Sequence, residues 1–132
     1  MRPRRRTGAD GNVAIEYGLI LPMLLLIVLG IVDTGRLLWT YATLSHAVDA
    51  AARCGAIAGP GCGSSATIAS YAVTQAYGLS LPSSDFTVTS ATCGVEVNGV
   101  IGFTFIIPWL GSAQPFGTSN SINVSATACY PS

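Results

Sequence analysis

The chain has 132 residues, enough for one domain, and 50% of them are hydrophobic while only 9% are charged; soluble domains carry roughly a quarter charged residues. Such a deficit means that part of the chain is solvated by something other than water. Lysine is absent, and four of the six arginines, Arg2, Arg4, Arg5 and Arg6, crowd the N-terminus. Loss of residues 1–11 would remove those four and one of six carboxylates, turning a formal net charge of +0 into −3. A chain so charged is excluded as a phosphate-attracted nucleic-acid binder.

Residues 1–11 read as a basic cytoplasmic leader. From Gly18 to Val32 the sequence GLILPMLLLIVLGIV runs without a charge, but fifteen helical residues span only about 22 Å of a roughly 30 Å hydrocarbon core. Extending back to Val13 reaches about 30 Å, at the cost of taking Glu16 into the lipid boundary. The predicted transmembrane helix therefore covers residues 12–33. Four arginines before it and none immediately after place the N-terminus in the cytoplasm and the remainder in the periplasm or beyond. A cleaved secretory signal would need a small-residue site near Asp33-Thr34-Gly35-Arg36, and none is there. A lipoprotein would need a cysteine at that point, and the first is Cys54. A twin-arginine signal would need an apolar residue soon after the arginines, where Thr7-Gly8-Ala9-Asp10 stands instead.

The helix is expected to continue as an amphipathic segment over residues 34–53, because Leu37, Tyr41, Leu44, Val48 and Ala51 recur at steps of four and three. Arg36, Thr40, Thr43, Asp49 and Arg53 fall on the opposite face. Residues 13–53 thus form one long helix, with a mild kink at Pro22, whose ring crowds the carbonyl of Gly18. An exported domain follows over residues 54–132. It opens with a glycine-rich loop, Gly55–Ser65, and a second helix over Ala66–Tyr77, with Ile68, Ala72, Ala76 and Leu79 on one side. Phe86–Thr89 and Val95–Val97 are strand-like. Asn98-Gly99 predicts a hairpin turn, with Val100–Ile107 as its returning strand. Residues 108–119 form a loop, and Ile122–Cys129 alternates as a last strand. The fold class is α+β, with a long N-terminal helix, a second helix and an antiparallel sheet of three or four strands.

The four cysteines, Cys54, Cys62, Cys93 and Cys129, all lie on the exported side, where disulfides are the default. No CxxC pair exists and His46 is the single histidine, so no metal site or cofactor is expected. Of three possible pairings, Cys54–Cys62 with Cys93–Cys129 is favoured. The first closes the glycine-rich loop and the second fastens the terminal strand. A simple three-strand meander would hold the strands of Cys93 and Cys129 apart, so this pairing requires adjacent strands or Cys93 at a strand end.

Catalytic constellations are absent. Gly59-Pro60-Gly61-Cys62-Gly63-Ser64-Ser65 superficially resembles a phosphate loop but lacks the lysine one needs. His46 is expected to face solvent. One histidine, no G-x-S-x-G and no paired carboxylates give no triad or acid–base site, so the chain is not expected to be an enzyme. Trp39 and Tyr41 sit just past the span, as interfacial anchors do. Trp109 falls in the loop before the last strand.

Gly11-Asn12-Val13-Ala14-Ile15-Glu16-Tyr17 resembles the processing site of type IV pilin-like proteins, in which a prepilin peptidase cuts after a glycine and a glutamate stands fifth in the mature chain. Asn12 would be the first mature residue and Glu16 the fifth. Glu16-Tyr17 resembles in particular the Flp pilins and pseudopilins of tight-adherence (Tad) systems. With a proline in the span and Ala51-Ala52-Arg53-Cys54-Gly55 ending the helix, residues 8–58 resemble the TadE/TadF-like family of minor pseudopilins. The resemblance implies cleavage between Gly11 and Asn12, and an assembly role for Glu16 and Tyr17. It also implies residence in a bacterial inner membrane or a pilus. The implied partners are the prepilin peptidase, other pseudopilins, the major pilin, an inner-membrane platform and membrane lipid. A carboxylate at the membrane boundary is itself a functional signal, because it is costly without a partner. The alternative reading is a membrane-tethered periplasmic binding module that is neither cleaved nor polymerised.

Overall fold

The computed structural model describes residues 9–107 and 120–131, with the backbone alone for residues 9–12. The arginines of the leader and the expected loop 108–119, with Trp109, lie outside the described residues. Helix α1 runs from Ala9 to Ala56, 48 residues, with Pro22 inside it. At 1.5 Å per residue it is about 72 Å long. The single long helix expected over residues 13–53 is therefore present.

Helix α2 spans Ser65–Gln75, one residue ahead of the expected start and two short of the expected end. Ser64 explains the start: its hydroxyl accepts from the Thr67 amide at 3.3 Å while the Thr67 hydroxyl accepts from the Ser64 amide at 3.0 Å. This reciprocal cap satisfies two donors that a helix start leaves open. A 3-10 turn at Ser83–Asp85 leads into β1 (Phe86–Ala91), β2 (Gly94–Thr104) and β3 (Ser121–Tyr130). The three strands form one antiparallel sheet in the order β1-β2-β3.

The hairpin expected at Asn98-Gly99 is not there. β2 runs straight through both residues, and the turn lies at Thr92-Cys93, between Ala91 and Gly94. Two packing demands account for this. Asn98 stands opposite Thr127 on β3 and donates to its hydroxyl at 2.7 Å. Gly99 is buried beneath α1: a Cβ there would come within 2.9 Å of Leu44 and 3.0 Å of both Phe86 and Val48. Its missing side chain lets the helix approach the sheet. The turn glycine is Gly94, at φ +123°, where a Cβ would overlap the Tyr130 carbonyl.

The core lies between α1, α2 and one face of the sheet. Leu44, Ala47, Val48, Ala51 and Ala52 of α1 meet Ile68, Ala69 and Ala72 of α2 and Phe86, Val97, Phe103 and Val124 of the sheet. Alanines at the helix–helix contact allow close approach. The buried stripe of α1 differs from the expected one. Leu44, Val48 and Ala51 are buried as expected and Leu37 is half-buried, but Asp33, Thr40 and Ala47 are buried as well, so Thr40 faces inward while Tyr41 is exposed. The steps of four and three are as expected, but the stripe holds two polar residues that a search for apolar positions passes over.

Candidate functional site at the ends of the apolar segment

Between Val13 and Val32 the large apolar side chains of α1 are all exposed. The most apolar 18-residue window has a mean hydropathy of 2.4 and none of it is buried. Twenty such residues span about 30 Å, the thickness of a hydrocarbon core. The helix is compatible with a single-pass membrane anchor.

Gly11 and Asn12 lie near the start of the described part of α1, and Glu16 stands one turn further on. Glu16 and Tyr17 are both exposed. An i,i+4 pair on a helix is close enough to interact, so the positions that would carry a new α-amine and a carboxylate are neighbours. The candidate assembly residues are therefore together on the apolar end and far from the domain. Glu16 is seventeen residues, about 25 Å, from the first residue that the domain covers.

That residue is Asp33, and nothing in its local sequence beyond Arg36 three residues later marks it out. Its side chain is 0% exposed. It accepts from the Ile106 amide at 2.9 Å and 3.1 Å, one bond to each oxygen, and from the Ile107 amide at 3.0 Å. Arg36 closes the cluster with an ion pair of 3.1 Å. Asp33 thus holds the chain leaving β2 against the helix at the point where the apolar segment ends. Four bonds to one carboxylate compensate its removal from water.

Beside this clamp a groove of about 600 Å³ runs between α1 and the sheet, walled by Val32, Trp39, Ile101 and Phe103 with Arg36 among them. The Arg36 guanidinium lies 5.3 Å from the centre of the Phe103 ring. At the opposite end of the domain, Cys54 is bonded to Cys62 and Cys93 to Cys129, with Cα separations of 5.8 Å and 6.2 Å. Cys93 sits in the β1–β2 turn, at the end of the sheet, which is how a meander brings it to β3. Cys93, Glu96 and Cys129 have side-chain atoms within 4.8 Å of one another, but the disulfide occupies both sulfurs and leaves one carboxylate as the donor. His46 is exposed, as expected.

These features define a small α+β domain, closed by two disulfides, on a helix able to cross a membrane. Residues 11–53 of this chain match the family model described as TadE-like protein. The match begins at the glycine of the expected processing site and ends at Arg53, so α2 and the sheet lie beyond it. No curated protein and no solved structure matches the chain.

Proposed function

We propose that this chain is a minor pilin or pseudopilin that takes part in assembling a Tad-type adhesion pilus. The observation that carries the reading is the placement of Gly11, Asn12 and Glu16 at the head of an exposed apolar helix, within the stretch matched by the TadE-like model. A prepilin peptidase cuts between Gly11 and Asn12, at the end of the apolar segment away from the domain. The new Asn12 amine then lies at the membrane boundary beside a carboxylate. In a helical array, Glu16 of one subunit neutralises Asn12 of the next, which favours one lateral register. The exported domain caps the helix, and the role is structural. Other pseudopilins, the major pilin and an inner-membrane platform are the partners that this role requires. The N-terminus is cytoplasmic and the domain periplasmic. Intact-mass measurement of protein extracted from host membranes tests the reading. Loss of residues 1–11 is expected, and a retained leader in the presence of a prepilin peptidase would refute it.

A further inference from the structure

We propose that the groove between α1 and β2 binds a phospholipid with an anionic headgroup, drawn from the leaflet on the domain side of the membrane. The inference goes beyond pilus assembly and rests only on α1 crossing the membrane. The groove starts at Val32, the last residue of the apolar segment, so its lower wall continues a surface already in contact with lipid. Arg36 lies four residues above Val32, about 6 Å along the helix, and Trp39 about 10 Å. The headgroup layer on each side of a hydrocarbon core is about 5–8 Å deep, so Arg36 stands at the level of the phosphates.

The wall chemistry matches both parts of such a molecule. Val32 and the half-buried Ile101 present apolar surface to an acyl chain, the buried Phe103 forms the floor, and Trp39, 65% exposed, stands at the rim. Arg36 is the charged residue of the lining, and its side chain is 47% exposed. One of its nitrogens serves Asp33, whose oxygens are already held by the Ile106 and Ile107 amides. A guanidinium has five N–H donors in a planar fork, so the remainder suit a phosphate. Phe103 stacked against Arg36 keeps that fork in place.

The full chain carrying Trp109→Phe makes Trp39 the sole tryptophan and a local reporter. It is reconstituted in vesicles of equal parts phosphatidylcholine and phosphatidylglycerol, with bromine on one lipid or the other. Brominated phosphatidylglycerol should quench Trp39 more strongly, reflecting about fivefold enrichment, the factor that one basic residue near an anionic surface supplies. Arg36→Gln should abolish the preference with both disulfides and the helical circular dichroism intact, and Arg36→Lys should keep it. Equal quenching by the two lipids would overturn the proposal, as would a preference that survives Arg36→Gln. So would a membrane-bound chain whose Trp39 neither lipid quenches, the result expected if a neighbouring helix fills the groove. A chain that does not float with the vesicles at all would overturn the membrane-spanning reading as well.

Discussion

Between Val13 and Val32, α1 is apolar apart from Glu16, and its large side chains stay exposed among the described residues. Between Asp33 and Ala56 the same helix buries one stripe and turns His46, Asp49 and Arg53 to solvent. The two halves share a backbone and differ in what completes them. The second half is satisfied inside the monomer, by α2 and the sheet. The first requires lipid or other helices, since an exposed apolar surface of this size marks a membrane or protein interface. Asp33 stands at the junction and ties the domain to the place where the change occurs. Stability and assembly are therefore separable along one helix.

The same substitution in the two halves gives the sharpest contrast. Leu44 is fully buried and Leu25 is half exposed. Leu44→Ala should destabilise the domain by about 2–5 kcal/mol, the range for buried leucines. Leu25→Ala should leave its melting unchanged in detergent. Equal effects would mean that the apolar half folds onto the domain. The disulfides come next. Cys93–Cys129 spans 36 positions of sequence and Cys54–Cys62 only 8. In the chain-entropy model their removal as serine pairs costs about 4 and about 2.5 kcal/mol respectively. Denaturant melts of the two double variants check the order, and a reversed order would show that the short loop does more than limit the unfolded chain.

Asp33→Asn should act more locally. Asparagine keeps one oxygen, which at the Oδ2 position still accepts from both the Ile106 and Ile107 amides, but it is a weaker, neutral acceptor, and the second Ile106 bond and the ion pair to Arg36 are lost. The expected readout is faster hydrogen exchange at Ile106 and Ile107, with the amides of Val97 and Val124 unchanged. Uniform acceleration across the sheet would mean that the clamp holds the whole domain and not only the end of β2.

How much of this was legible depended on how far apart the partners lie. The long helix was readable because its evidence is local: an uncharged run followed by apolar residues at steps of three and four. The reading of Asn98-Gly99 as a turn failed because two tertiary contacts, Asn98 with Thr127 and Gly99 beneath Leu44, outweigh a local turn preference. Asp33 was invisible as a functional residue because its partners lie 73 and 74 residues away. Thr40 was misplaced because a polar residue in a buried stripe looks like the edge of the opposite face. The cysteine pairing was reached, but the position that makes it possible, Cys93 in the turn, depends on where the hairpin lies.

The smallest effect on the domain belongs to the residue with the largest expected effect on assembly. Glu16 touches none of the described residues of the domain, so Glu16→Gln should leave melting, disulfides and membrane insertion as they are. If Glu16 only marked the membrane boundary, the substitution would be silent throughout, and Glu16→Leu would favour insertion by removing a charge. If it neutralises the Asn12 amine of a neighbouring subunit, either change leaves that amine uncompensated where water is scarce, and a weak lateral contact does not survive such a loss. An amine four residues away on the same helix is also within reach of Glu16, so the contact within one chain must be separated from the contact between chains. Mixed expression does this. Co-expressed with the unaltered chain, the glutamine variant should still enter assemblies, because each altered subunit retains an amine that an unaltered neighbour can meet. Expressed alone, it should be processed normally but form no pili and recover no partner pseudopilins. Normal piliation by the variant alone would show that Glu16 is a boundary residue and that subunit register is set elsewhere on α1.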